Sequence, residues 1–149
     1  MKTQKIAKCT LWANRVVIAL VTVLIFALPA LVNWYTALLG YALPRQDMVG
    51  IWVSYVCCAV FILFALWNME KLMKNILAQQ IFLRENVQCV RRVQHSCGIV
   101  AAVCLVDMVF ALPMIVLSAI MGFLCLVVSV VAHVLDAAVA LQEENDLTI

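Results

Sequence analysis

The sequence has little charge. Lys, Arg, Asp and Glu supply 12% of its 149 residues, where soluble proteins carry about a quarter. Hydrophobic residues supply 67%, and the mean hydropathy is +1.10. Too little polar surface remains to cover a water-exposed globule, which excludes an ordinary soluble domain and indicates that a lipid bilayer surrounds most of the chain. The length leaves room for one domain.

The sequence also lacks the residue patterns of redox, metal and enzyme chemistry. Its seven cysteines are odd in number and form no C-x-x-C motif, so we interpret them as small packing residues. Paired catalytic residues of the kind that intramembrane proteases need are not found. We therefore expect no enzyme activity, no cofactor and no metal site.

Long apolar runs are what the sequence has in abundance. Each of four runs approaches the ~20 residues that cross a bilayer as a helix. The sequence predicts an all-α integral membrane four-helix bundle of two antiparallel transmembrane hairpins, joined by a segment at residues 68–96 and followed by a tail at 138–149. The predicted spans are residues 16–35, 48–67, 97–112 and 115–137.

The basic residues are distributed unevenly among the loops. Four of the ten Lys and Arg residues precede the first run and five lie between the second and third, which leaves only Arg45 elsewhere. The positive-inside rule places such segments in the cytoplasm. We therefore expect a multi-pass protein of the bacterial cytoplasmic membrane with both termini, the segment 68–96 and the tail inside.

The segment after the second run is amphipathic. Met69, Leu72, Met73 and Ile76 recur at helical spacing, and polar residues fill the opposite face. The pattern predicts a helix in the cytoplasm or on the membrane surface. Its apolar face requires lipid, the bundle itself, a second copy or another protein.

The turn between the last two spans has two candidate positions. The region from Pro113 to Ser118 is preferred because it gives a longer fourth helix, and Gly122 is the alternative. A polar and small stripe at helical spacing follows in the fourth span. We interpret it as a packing face, with a substrate path as the alternative: Ser118, Gly122, Cys125, Ser129, His133, Asp136 and Ala140.

Asp107 is the most costly residue, because it lies about ten residues, or ~15 Å, into the third span. An acid at that depth costs at least ~2.5 kcal/mol unless it is protonated, paired or hydrated. A protonated Asp107 hydrogen-bonded to a neighbouring helix and an ion or ligand contact both stay open. His133 and Asp136, one turn apart, are expected to hydrogen-bond each other in a polar cluster.

The ends of the second hairpin carry opposite charges. Arg91 and Arg92 precede the third span, and Glu143, Glu144 and Asp146 follow the fourth. The hairpin predicts salt bridges between these groups that hold the tail against the base of the bundle. Each is worth under ~1 kcal/mol if exposed, so their role is placement.

Two segments resemble a known family. Residues 81–93 contain I-F-L-R-E-N-V followed by V-R-R-V, and the chain ends in E-E-N-D-L-T-I. Together they resemble the YoaS-like family of small bacterial four-span membrane proteins of unknown function. The resemblance implies a regulatory role beside a helix-turn-helix DNA-binding regulator. It marks Glu85, Asn86 and Asn145 as interaction candidates, with the charged residues of the hairpin ends.

Two functions from different classes follow. The first is a regulatory or sensory protein that binds a cytoplasmic partner, such as a DNA-binding regulator, through its charged face. The second is a small transporter or ion-coupled carrier, forming a homo-oligomer and using Asp107. Direct binding of nucleic acid is not expected, because topology and anionic lipid explain the basic residues.

Overall fold

A computed structural model describes residues 2–39, 45–107 and 114–147 of the chain. These ranges hold four helices and no strand, and each helix is long and apolar enough to cross a membrane. The all-α fold with four helices of membrane-spanning length is therefore confirmed. The helices are α1 (Lys2–Leu39), α2 (Arg45–Leu77), α3 (Arg84–Asp107) and α4 (Met114–Leu147).

The apolar residues of the amphipathic segment, Met69 to Ile76, all lie in α2, which continues past the predicted second span. The helix passes through Asn68 without a break and ends at Leu77. Asn68 is 3% exposed, and its Nδ2 donates to the Phe64 carbonyl oxygen at 2.8 Å within the same helix. No separate surface-lying helix follows, since residues 78–83 form a short turn and α3 begins at Arg84.

The helices contact one another in chain order. Among the described residues, Cα atoms approach within 8 Å between α1 and α2, α2 and α3, and α3 and α4, and between no other pair. A closed bundle would bring α1 beside α4, so the described part of the chain is an open row. Apolar side chains at its edges carry little penalty in lipid, which removes the main force that closes a bundle in water.

α3 lies inside the row and is the most buried helix. In the most apolar stretch of each helix, the share of buried residues is a third for α3, 6% for α2 and for α4, and none for α1. Its buried face follows helical spacing from the first turn to the last: Asn86, Val87, Cys89, Val90, Val93, Ser96, Val100 and Cys104. These side chains therefore form the common core against α2 and α4.

The sequence offered two positions for the connection between α3 and α4, and the structure excludes one of them and part of the other. Gly122 lies within α4, so it is not the turn. The preferred position is wrong over residues 114–118, because Met114 to Ser118 are helical as well. Pro113 and the last residues of the predicted third span, 108–112, lie outside the described residues.

Candidate functional site at the charged end

The turn between α2 and α3, residues 78–83, has a backbone fixed by hydrogen bonds to the last turn of α2. Gln79 N donates to the Ile76 oxygen at 3.1 Å, and Gln80 N donates to the Asn75 oxygen at 3.0 Å. Gln79 has a φ of 61°, in the left-handed region that costs an ordinary residue roughly 1–2 kcal/mol. The chain leaves the α2 axis here in a defined conformation.

Asn86 holds this turn from the inside. Its side chain is fully buried, and its Nδ2 donates to the carbonyl oxygens of Gln80 and Ile81, both at 2.8 Å. Its Oδ1 accepts from Asn75 Nδ2 at 2.7 Å. Its backbone N–H donates to the Leu83 oxygen at 2.9 Å. One side chain therefore joins the end of α2, the turn and the start of α3.

Three consecutive apolar residues at the tip of the turn are exposed. Ile81 is 39% exposed, Phe82 49% and Leu83 37%. The backbones of Ile81 and Leu83 accept hydrogen bonds from Asn86, whereas Phe82 has no such role among the described contacts. The result is an exposed apolar tip on a hydrogen-bonded base.

An ion pair links α2 to α3 beside the turn. Lys71 Nζ lies 2.6 Å from Glu85 Oε1. The hydrogen bond from Lys71 lowers the pKa of Glu85, and that same bond raises the pKa of Lys71. Both groups are therefore charged near neutral pH. Glu85, a predicted interaction residue, is thus already engaged within the protein.

Two hydrogen-bonded ion pairs and a longer one, between Arg84 and Asp136 at 3.9 Å, link α3 to α4. Arg84 donates to both carboxylate oxygens of Glu143, at 3.0 and 2.7 Å. Arg91 donates to Asp136 Oδ2 at 2.7 Å. The arginines are seven residues apart, and so are the acids, which is the spacing that keeps side chains on one face of a helix pair. The C-terminal part of α4 is thereby fixed beside the turn.

A salt bridge ties the tail to α3, as predicted, but its arginine is Arg84 and not Arg91. Arg91 was expected to pair with acids of the tail, and the structure pairs it with Asp136 instead. Glu143 pairs with Arg84. The reason is that α3 begins at Arg84, 13 residues before the predicted span, so its first turn reaches the end of α4 and Arg91 lies two turns further along.

The Arg84–Glu143 pair depends on pH in a defined direction. The hydrogen bonds from Arg84 lower the pKa of Glu143 below its usual value of 4.5. A carboxyl with a lowered pKa in the folded state stabilises that state fully above its unfolded pKa and loses the effect as pH falls through the folded pKa. The pair is therefore complete near neutral pH and opens only in acid. Its exposure keeps the gain small.

The start of α1 meets the same end of the structure. Arg15 Nη2 and Lys74 Nζ contact Glu70 Oε1 at 3.2 and 3.0 Å, and Asn14 Nδ2 donates to the Leu66 oxygen at 3.2 Å. Lys74 first, and then Arg15, lowers the pKa of Glu70. All four helices thus contribute to one polar region, called here the charged end.

The remaining predicted interaction residues lie at the charged end but are not grouped around one site. Arg92 is exposed on α3. Glu144 and Asn145 are exposed near the end of α4 and take part in interactions of their own. The side chain of Asp146 and residues 148–149 of the terminal motif lie outside the described residues. The structure thus groups Glu85, Asn86, Arg91 and Glu143 with the turn.

Asp107 lies at the end of α3 far from the charged end. Ser54 Oγ of α2 donates to Asp107 Oδ1 at 2.7 Å. The neighbouring helix therefore supplies a hydrogen bond to Asp107, one of the contacts that the sequence left open. No Lys or Arg occurs within the four predicted spans. Within those spans, Asp107 therefore has the hydroxyl group of Ser54 as a partner and no basic side chain.

The predicted contact between His133 and Asp136 is wrong. His133 Nδ1 lies 2.8 Å from the Ser129 oxygen within α4, and Asp136 binds Arg91. The guanidinium across the helix pair offers Asp136 a charge-assisted hydrogen bond, which is among the strong ones. In the described part of the chain, no three His, Cys, Asp or Glu side chains are grouped so as to hold a metal ion.

The small and polar stripe of α4 faces α3 over much of its length. Ser118 Oγ donates to the Ala101 oxygen at 2.8 Å, and Cys125 Sγ donates to the Gln94 oxygen at 3.4 Å. A Cβ added to Gly98 would lie 3.5 Å from Cys125 Sγ. These contacts favour the packing interpretation. His133 and Ala140 depart from it, because both are exposed.

Sequence reasoning missed three residues of the site. Asn75 supports Asn86, Arg84 holds Glu143, and Ser54 binds Asp107. The seven-residue spacing of the arginines and of the acids was a readable signal for Arg84. The two other contacts join residues 11 and 53 positions apart, and no local pattern marks them.

Comparison with known proteins shows the family. The chain belongs to the family described as "Protein of unknown function (DUF2975)", whose pattern matches residues 40–149. The matched region contains α2, the turn, α3 and α4, and it leaves out α1. No curated protein and no solved structure matches the chain.

Proposed function

We propose that this protein is a bacterial cytoplasmic membrane protein that binds a soluble regulatory partner through its charged end. The observation that carries the proposal is the exposed apolar tip Ile81–Leu83, held on a fixed base by the buried Asn86. The four helices would cross the membrane as two antiparallel hairpins, with both termini in the cytoplasm.

The orientation rests on charge. Contacts such as Arg15–Glu70 and Arg84–Glu143 bring the basic segments of the chain to the charged end. Nine of the ten Lys and Arg residues belong to those segments. The positive-inside rule then directs the charged end to the cytoplasm.

The length of α2 places the turn beyond the lipid. The apolar run ends near Trp67, and the helix continues to Leu77. Ten residues at 1.5 Å each add ~15 Å. The headgroup region on one side of a bilayer is about 5–8 Å thick, so a helix close to the membrane normal carries the turn into water.

The chemistry of the tip favours a protein over lipid. Exposed apolar side chains in water are typical of an interface, and aromatic residues such as Phe82 often supply its central contact. The charges around the tip are engaged in internal pairs, among them Arg84 with Glu143 and Lys71 with Glu85. The resemblance described above supplies the class of partner, a small DNA-binding regulator.

The orientation has a direct test in the native sequence. Cys9 is exposed, whereas the other six cysteines are half-buried or buried. We expect a membrane-impermeant maleimide to label the protein in inside-out vesicles and not in intact spheroplasts. Cys9→Ser should remove the label. Labelling of wild-type protein in spheroplasts, lost on Cys9→Ser, would reverse the proposed topology.

The partner is tested by removing the tail. Deletion of residues 143–149 takes away Glu143 and leaves Arg84 beside the turn with its longer contact to Asp136. We expect protein purified from its native membrane in mild detergent to retain a soluble DNA-binding protein that the truncated chain loses. An identical set of co-purifying proteins for both chains would remove the tail from the interface.

A further inference from the structure

A groove of about 440 Å³ runs along the faces of α2, α3 and α4. It is far from the turn and belongs to the membrane-spanning part of the helices. Apolar side chains from all three helices line most of it, with Asp107 as the acidic group. Among the lining residues are Tyr55, Ile62, Val100, Leu117, Met121 and Asp107.

Asp107 marks one end of this groove. Val100, Cys104 and Asp107 follow each other along α3 at intervals of about one turn, and all three line the groove. Seven residues correspond to ~10 Å along a helix. The α3 side of the groove is thus an apolar strip of about that length with a carboxyl group at one end, and the α2 side runs further, from Ile51 to Ile62, over ~16 Å.

The carboxyl group has capacity for a second partner. Ser54 occupies Oδ1 at 2.7 Å, and no described residue donates to Oδ2. The predicted spans contain no Lys or Arg that could neutralise an ionised Asp107. A carboxylate in lipid is costly without a cation or donors, so a ligand that brings a positive charge would gain the strongest contact available there.

We propose that the groove binds a lipophilic amine, with its apolar body along α3 and its ammonium group on Asp107. A straight chain of about eight carbons matches the ~10 Å from Val100 to Asp107 along α3. The ring of Tyr55, at the same level as Ser54, offers the ammonium group a second favourable contact. This site does not depend on the proposed partner at the charged end.

The test compares two probes of equal shape. Octylamine is positively charged at neutral pH, and octanol is its uncharged counterpart. Calorimetric titration of the full chain in phosphatidylcholine nanodiscs, after subtraction of empty nanodiscs, should show one saturable site for octylamine. We expect it to bind at least about tenfold tighter than octanol, since hydrogen bonds to charged groups are the stronger class.

Variants separate the charge from the cavity. Asp107→Asn should reduce the affinity for octylamine to that for octanol, and Asp107→Glu should keep the preference. Leu117→Trp, which fills the groove, should weaken both probes. Leu126→Trp is the matched control, because Leu126 is 67% exposed on α4 and does not line the groove.

Several results would overturn the proposal. Equal affinity of the wild-type protein for the two probes would remove the role of the charge. An amine preference that survives in Asp107→Asn would place the charge elsewhere. Equal losses in Leu117→Trp and Leu126→Trp would show that the probes do not occupy this groove.

Discussion

Replacement of Asn86 with alanine is expected to lower the melting temperature of the purified protein by about 6–12 °C. The substitution removes three side-chain hydrogen bonds and leaves Asn75 Nδ2 and the carbonyl oxygens of Gln80 and Ile81 without their partner. A hydrogen bond within a protein contributes about 1 kcal/mol net, so the loss of three gives a total near 3 kcal/mol. Thermal unfolding in detergent measures the change.

Two further variants give this prediction its specificity. Asn86→Asp keeps the shape and loses both donated bonds, so it should be at least as damaging as alanine. Gln88→Ala, an exposed substitution on the same helix, should change stability by less than about 0.5 kcal/mol. A melting temperature of Asn86→Ala within one degree of the wild type would show that Asn86 does not hold the turn.

Replacement of Phe82 with alanine is expected to weaken partner binding by about 30-fold. Phe82 is 49% exposed at the tip, and its backbone makes none of the described bonds that hold the turn. The loss therefore falls on binding and not on folding. A central aromatic residue of an interface contributes about 2 kcal/mol or more when truncated, and 2 kcal/mol corresponds to that factor.

The matched control for Phe82 lies in the membrane-spanning part of α4. Phe123 is 66% exposed and within the predicted fourth span, where the proposed topology places lipid around it. Phe123→Ala should leave the affinity for the partner unchanged, as measured by titration of the purified partner against each variant. Equal losses in both variants would mean that the effect comes from general destabilisation, and no loss in Phe82→Ala would exclude the tip.

The membrane-spanning helices could be predicted because long apolar runs have few other stable states. The ends of the helices could not. Residues 68–77 are polar enough to leave the membrane, and they are also good helix formers, so nothing ended α2 at Trp67. The reversal at Gln79 has no glycine to mark it, because the buried bonds of Asn86 hold it.

Which charged residues of α3 and α4 pair with each other depends more on how the two helices align than on the residue types. The sequence identified the charged groups, yet the pairing of Arg91 with Asp136 is decided by how α3 and α4 align. The alignment follows from contacts such as Ser118 with the Ala101 oxygen. A short apolar connection gives no local signal for that alignment, so the arginines were assigned to acids of the tail.

α1 lies at one edge of the open row of helices. α1 contacts α2 alone among the described residues and lies outside the matched family region. The turn, its support by Asn86 and the ion pairs to α4 all lie within residues 40–149. The features that carry the proposed function thus belong to the part of the chain that defines the family.

The most direct measurement of the central claim is photo-cross-linking in living cells from a photoreactive amino acid at position 82. The same amino acid at position 123 is the control. We predict that position 82 cross-links to a soluble cytoplasmic protein and that position 123 yields lipid adducts only. Lipid adducts at position 82, or a cross-linked protein from outside the cytoplasm, would contradict the proposal that this turn is a cytoplasmic docking site.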